Sequence, residues 1–282
     1  MSQGPDRERE WPDRLYKYMS LENERKQEHA RVIIDDEAIH FSAPCDFNDP
    51  FDCQFIREFD PTPEEEKRTF LECLEWQRGS REEAERELAE ILGPGGTERR
   101  QRLREEIRQN GETVTERTRV FCLTEVRDDI LMWSHYANCH RGICLEFGFC
   151  KDVRVHDGFA ARTWRVDYGT DFPVVNPYKT LEGERIRKMV CRKSCHWGYE
   201  KEWRVIYAHP PGETGDHEER LPPALLEGVI MGARISKSSR QLVLALARNR
   251  PRPLRPLKVY QARLKQREYG LDIVRIEDGP NS

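Results

Sequence analysis

Apolar residues recur along the chain in short bursts, and their period changes from one region to the next. The last third is the most regular. Leu226 to Gly232 (LEGVIMG) reads as a buried strand, and Ser236 or Ser238 caps an amphipathic helix running to about Arg248. Leu257 to Leu264 reads as a second strand, which completes a β-α-β unit, and Leu271 to Ile276 closes it. Upstream, Leu15 to Tyr18, Arg119 to Leu123, Ile143 to Phe147, Arg165 to Tyr168 and Trp203 to Ala208 suit strands. Val32 to Phe41 reads as two short strands around an Asp-Asp turn. Asp128 to Tyr136 has a helical pattern with Asp128 or Asp129 at its N-cap, and Glu182 to Cys191 suits another helix. Strands and helices interleave irregularly, which predicts an α+β fold: a mixed, mostly antiparallel sheet with flanking helices.

One region breaks this pattern. From Pro61 to Arg119, 27 of 59 residues are charged and only 13 are hydrophobic, too few for a core of its own. Helical spacing is nevertheless clear in Pro63 to Arg78 (Phe70, Leu71, Leu74) and in Arg81 to Leu92 (Ala84, Leu88, Ile91, Leu92). Gly93 to Gly96 stops the second helix, and Thr97 to Ile107 predicts a third. Residues 12–60 and 119–278 are therefore expected to form a single α+β domain, with 61–118 a charged helical insertion and 1–11 a flexible N-terminus. The insertion is either a solvated, salt-bridged arm packed on the domain or a partner-binding element.

Composition adds exclusions. The 282 residues are 35% charged and 37% hydrophobic, but the net charge is only −4, so no global field favours nucleic acid. The longest apolar run, Leu242 to Ala247, is far below the about 20 residues of a membrane helix, and no membrane partner is expected. Met1 to Trp11 has no apolar signal core. Nine scattered cysteines argue against a disulfide framework, and together these features point to the cytoplasm. Arg248 to Arg267 holds eight basic and no acidic residues, with Pro251, Pro253 and Pro256 between them. It is either a stiff solvated connection or a guide for a nucleic-acid or protein acceptor.

Candidate chemistry gathers in four strings: LYKY at 15–18, FSAPCDFNDPFD at 41–52, MWSHYANCHRGICLEF at 132–147 and WGYEKEWRVIY at 197–207. Each joins aromatic residues to groups that titrate or hydrogen-bond. If Glu200, Glu202 and Arg204 lie on one strand they share a face, with Trp203, Val205 and Tyr207 opposite, forming an ion pair or a polar site. Asn48-Asp49-Pro50 is a turn signal by itself, and it also suits the mouth of a pocket that holds ribose hydroxyls or an amide. Trp133, Tyr136 and Ala137 share one helix face, as core residues do; His135 and His140 flank the helix end, where they suit phosphate binding or acid–base work. His135 with Cys139 and Cys191 with Cys195 have loose zinc-like spacing, but no metal is expected.

The wording and order of these strings resemble a bacterial family known as domain of unknown function 2971. The resemblance runs from Leu15 to about Ile235 and rests on Asn48-Asp49-Pro50-Phe51-Asp52, on Met132 to Ala137 with His140 and Gly142, and on Tyr199 to Arg204. That family implies no activity. The Glu-x-Glu of Glu200 and Glu202 is similar to the motif of ADP-ribosyltransferases, which are split mixed-sheet enzymes. This second resemblance implies NAD as substrate, Glu202 holding the nicotinamide-ribose, and Glu200 helping to activate the acceptor. It further implies an early strand with Tyr16 or Lys17 toward the ligand, where the pattern has Arg or His, and a middle element at Phe41-Ser42.

The expectation is an NAD-using, ADP-ribosyltransferase-like enzyme acting on nucleic acid or protein, as a toxin or phage-defence effector with a neutralising or regulatory partner. Its expected catalytic residues are Glu202, Glu200 and His135. Tyr16, Lys17, Ser42, Asn48, Asp49, Tyr136 and Arg204 are expected to bind the dinucleotide. The alternatives are a nuclease built on His135, His140, Asp49 and Glu200, and a non-enzymatic nucleotide sensor.

Overall fold

A computed structural model describes residues 12–112, 114–149, 158–180, 182–210, 212–222, 225–251 and 254–276. The expected flexible segment 1–11 lies outside the described residues, as do Cys150 and, in the basic connection, Arg252 and Pro253.

In chain order the elements are β1 (Arg14–Met19), α1 (Glu24–Asp36), β2 (Ala38–Phe41), β3 (Ile56–Arg57), α2 (Pro63–Arg78), α3 (Arg81–Leu92), α4 (Thr97–Glu112) and α5 (Val114–Arg117). Then come β4 (Thr118–Thr124), α6 (Ile130–Tyr136), β5 (Ile143–Gly148), α7 (Gly158–Ala161), β6 (Thr163–Arg165), β7 (Asp167–Gly169), β8 (Val174–Val175) and α8 (Glu182–Val190). The chain ends with β9 (Arg192–Ser194), β10 (Glu202–Ala208), β11 (His217–Arg220), β12 (Leu226–Met231), α9 (Lys237–Arg248), β13 (Lys258–Leu264) and β14 (Leu271–Arg275).

Eight strands make the main sheet in the order β14-β13-β12-β5-β1-β4-β10-β6. The β12–β13 pair is parallel, as the β-α-β unit requires, and the other neighbours are antiparallel. The class is therefore α+β with a mixed, mostly antiparallel sheet. One junction is weak. β1 runs alongside β5 from Arg14 opposite Gly148 to Met19 opposite Ile143, but it meets β4 in register at Tyr16 opposite Thr124 alone. The sheet is split there, and the split positions the site.

One face of the sheet carries Leu15, Met19, Phe121, Leu145, Phe147, Val205, Val229 and Met231, and it packs on Ala30, Ile33 and Ile34 of α1 and Val243 and Ala247 of α9. The other face sets Tyr16, Tyr18, Cys144 and Ile230 against Met132 and Trp133 of α6. Among the described residues no helix is long and apolar enough to cross a membrane.

Two expectations change. Val32 to Asp36 is helical: the Asn23 side chain accepts from the Lys26 amide at the N-cap, and the spacing of Ala30, Ile33 and Ile34 matches a buried helix stripe. Packing on the sheet overrides the strand preference of the Val-Ile-Ile run. Glu37 ends the helix in a left-handed conformation, φ 49°. The charged insertion also has a small core of its own, in which Phe70, Leu74, Ala84, Leu88, Ile91, Leu103 and Ile107 close around Tyr178 from outside the insertion. Its surface is laced with ion pairs such as Arg78–Glu87 and Arg99–Glu90, each 2.8 Å.

The basic connection is partly structural. Arg250 is buried, donating to the Glu37 carboxylate at 2.7 Å and to the Ile34 carbonyl at 2.7 Å, so it ties this connection to the end of α1. Lys258 pairs with Glu227 and Lys265 with Glu268, which reduces the charge the stretch can offer to a polyanion.

Candidate functional site

Where β1 and β4 diverge, a cleft of about 350 Å³ opens. Tyr16, Lys17 and Tyr18 line it from β1, Cys122 and Thr124 from β4, and Met132, His135 and Tyr136 from α6. Ser42, Phe47, Asn48 and Asp52 come from the loop after β2, Lys193 from β9, and Glu200, Glu202 and Arg204 from the segment entering β10. All four strings singled out in the sequence therefore meet in one place.

The cleft floor is a network of buried charge. The Arg204 side chain is 0% exposed. Its Nε and Nη2 donate to the two oxygens of Glu202 at 2.8 and 2.9 Å, and its Nη1 and Nη2 donate to those of Asp52 at 2.9 and 2.7 Å. Nη1 also donates to the Val190 carbonyl at 2.5 Å. Lys193 Nζ lies 2.6 Å from Glu200, 3.2 Å from Glu202 and 3.6 Å from Asp52. Three carboxylates thus share one guanidinium and one ammonium, an arrangement that offsets the cost of burying each charge.

The Glu-x-Glu geometry differs from the expected single strand face. Glu200 ends a 3₁₀ turn, Cys195–Glu200, and Lys201 adopts a left-handed conformation with φ 43° before β10 begins at Glu202. The period-two rule fails because the strand starts two residues too late for Glu200 to belong to it. The two carboxylates converge regardless, through Lys193. The Tyr136 hydroxyl donates to Glu200 at 2.6 Å, the Tyr168 hydroxyl accepts from the Glu202 amide at 2.8 Å, and Thr124 donates to the Glu200 carbonyl.

These environments drive the two carboxyls apart. Burial pushes Glu202 up, but Arg204 and Lys193 outweigh it and hold its pKa down to about 2. Burial dominates at Glu200 and raises its carboxyl, with Lys193 opposing and the neighbouring Glu202 adding to the rise. Lys193 is raised: burial lowers it, but Glu202 and Glu200 more than compensate.

The sign for stability follows from the direction of each shift. Glu202 stabilises the fold above the ordinary carboxylate range, and that contribution is lost as pH falls toward about 2. Glu200 contributes in the opposite sense, because the folded state favours its protonated form. Glu202→Gln is therefore expected to flatten the acid limb of the stability curve, read as thermal midpoint against pH from 5 down to about 2. An acid limb as steep as that of the wild type would show that Glu202 is not the depressed group.

Tyr16, Lys17, Ser42, Asn48, His135, Tyr136, Glu200, Glu202 and Arg204, each expected from sequence, line the cleft. Asp49 does not: its carboxylate accepts from the Phe51 amide at 3.0 Å and caps its own turn. Ser42 exchanges backbone bonds with Val120 at the end of β2. The strand between β1 and β10 is β4, so Thr124, and not Phe41-Ser42, holds the middle position. His135 is exposed at the rim. His140 stacks on Trp133 and sits 3.3 Å from the Ser134 hydroxyl, away from the cleft wall. The four groups named for a nuclease are not brought together.

Asp52 and Lys193 were missed. Asp52 stood inside the quoted FNDPFD string, but nothing in the sequence links it to Arg204, 152 positions away. Lys193 carried no motif. Cys191 is buried, while Cys139 and Cys195 are exposed. Among the described residues no group of three or more His, Cys, Asp or Glu side chains is placed to hold a metal ion.

Residues 132–205 match the model of a family described as "Protein of unknown function (DUF2971)". This stretch of the chain is similar to that family. The match begins at Met132 on α6, takes in Lys193 and Glu200, and ends just after Arg204, so it spans one wall and most of the charged floor of the cleft. No curated protein and no solved structure matches the chain.

Proposed function

We propose that the cleft is the active site of an NAD-using transferase of the ADP-ribosyl type. The observation that carries this reading is the pair Glu200 and Glu202, held at the split beside β1 and β4 in environments that move their protonation in opposite directions. Pairs pushed apart in this way divide acid–base from electrostatic work.

In the proposed reaction the bond between the nicotinamide nitrogen and the ribose anomeric carbon breaks, and its electron pair leaves with nicotinamide. Positive charge develops on the ribosyl ring. Glu202, ionised across the working pH range, stabilises that charge from a fixed, water-poor position. The acceptor's nucleophilic atom then bonds to the anomeric carbon. Its proton passes to Glu200, whose raised pKa suits a general base. Tyr136, bonded to Glu200, orients that carboxylate, while Tyr16, Lys17, Ser42 and Asn48, which line the cleft, hold the dinucleotide in this reading. The acceptor is a nucleic acid or a protein, reached from the open rim at His135.

The test is incubation of the full chain with NAD labelled in its adenylate portion, with protein and nucleic-acid mixtures as acceptors. Released nicotinamide together with labelled acceptor is expected. Absence of both across all acceptors would overturn the proposal, and NAD binding without turnover would identify a nucleotide sensor instead.

A further inference from the structure

Beside the cleft lies a second compartment of about 500 Å³, which shares Lys17, Tyr18, His135 and Tyr136 with it. Its outer walls come from the β1–α1 connection, the first turns of α1 and the end of α6. The two compartments differ in charge. The inner one holds four carboxylates, Asp46, Asp52, Glu200 and Glu202, with Lys193 and Arg204 spent on three of them, whereas the outer one brings Lys17, Lys26, His29 and His135 together against a single acid, Glu22, which is already paired with Lys26 at 2.8 Å.

Lys17 stands at the junction. Its ammonium donates to the Cys122 carbonyl at 3.1 Å and lies 4.4 Å from the centre of the Phe121 ring, and Glu202 is the acid that acts on it electrostatically. Burial lowers the Lys17 pKa, with Cys122 and Glu202 opposing, so an anion on its open side would favour the charged ammonium, and the side chain lines both compartments. His29 is an unsatisfied group, because its Nε2 is buried without a hydrogen-bond partner. The wall opposite is strained: Asn138 and Cys139, which line it, are with His140 consecutive left-handed residues with φ 48°, 51° and 67°. A cation with an open side and an unpartnered ring nitrogen thus line one compartment, and left-handed backbone shapes its far side.

We propose that this outer compartment is a phosphate-binding site in which Lys17 and His29 donate to the anion, and that its ligand is a nucleoside diphosphate lying across the split. The proposal rests on reading the inner compartment as a nucleotide site. It gives the ligand a polarity: phosphates at Lys17 and His29, uncharged or cationic end at Glu200 and Glu202.

A proton link follows. Burial lowers the His29 pKa, and Lys17, His40 and Arg25 lower it further, while Glu218 alone opposes them. An anion beside the ring favours its protonated form, so binding takes up a proton and tightens as pH falls below the ordinary histidine range.

The experiment is titration calorimetry of the full chain with ADP, adenosine and inorganic pyrophosphate, in two buffers of different ionisation heat. ADP is expected to bind at least tenfold tighter than adenosine, with proton uptake. Lys17→Met and His29→Gln are each expected to weaken ADP at least tenfold while leaving adenosine unchanged, and His29→Gln is expected to remove the proton uptake. Thermal unfolding of both variants shows that they are folded, and if Lys17→Met is not, Lys17→Arg with retained ADP binding replaces it.

No ADP binding, equal affinity for ADP and adenosine, or folded variants that keep full ADP affinity would each overturn the proposal. Pyrophosphate as tight as ADP would overturn its nucleoside part. ADP binding that depends on Lys17 and His29, without NAD turnover, would leave this site standing and remove the transferase reading. NAD turnover indifferent to both residues would do the reverse.

Discussion

Replacing Arg204 by methionine is expected to destabilise the folded chain by about 3–5 kcal/mol, enough to remove much of a typical domain's stability. The guanidinium holds both oxygens of Glu202 and both of Asp52 from a side chain with no solvent exposure. Without it, Lys193, at 3.2 and 3.6 Å, is the cation left to the two buried carboxylates, beside the Cys53 thiol on Asp52. Methionine fills much of the volume, so the loss is electrostatic and not a cavity effect. Arg204→Lys is expected to recover only part of it, because one ammonium cannot serve two carboxylates in a bidentate manner. Urea unfolding midpoints measure both. A loss below about 1 kcal/mol for the methionine variant would mean that the pair is solvated and screened. The effect should also reach the loop after β2, since Asp52 is that loop's tie to β10.

Much of the fold was legible because its hydrophobic periods are clean. Pro63–Arg78 and Arg81–Leu92 fall where the sequence pattern places them, and the Ser236 cap, α9 and the parallel β12–β13 pair follow the reading of the last third. The failures share a cause. Val32 to Asp36 has strand-forming residues, but its fate is settled by the sheet face it covers, and no local pattern contains that face. The single strand read over Arg165 to Tyr168 is two strands, β6 and β7, serving different sheets on either side of Val166.

The site was legible as a set of strings and illegible as a network. Aromatic residues beside polar ones mark where backbone and ligand-facing groups meet, so the four strings named most of the cleft wall. What joins them is long-range pairing: Arg204 to Asp52, Lys193 to three carboxylates, Tyr136 to Glu200. Asp49 was chosen over Asp52 because both sit in the same turn, and only the three-dimensional register shows which carboxylate turns inward. Thr124 was overlooked for Ser42 because the order of strands in the sheet is not the order in the chain.

The second large effect concerns the two glutamates, which are chemically alike and differently held. Glu202→Gln keeps the shape and the hydrogen bonds to Arg204 in part but removes the fixed negative charge that, in the proposed reaction, stabilises the developing ribosyl cation. Losing one preorganised electrostatic partner of this kind costs about 10²–10³ in rate. Glu200→Gln leaves that charge in place and removes the proton acceptor, so transfer to the acceptor should fall about 10²-fold while NAD cleavage by water persists. Tyr136→Phe, which deletes the donor to Glu200, should resemble Glu200→Gln in a weaker form. The decisive measurement is nicotinamide release and acceptor labelling, side by side, for the wild-type chain, Glu200→Gln and Glu202→Gln, each confirmed folded by its unfolding midpoint. Glu202→Gln is expected to lose both readouts, and Glu200→Gln to keep nicotinamide release but lose labelling; a wild-type chain that releases no nicotinamide, or two variants that behave alike, would rule out a ribosyl transferase site at this pair.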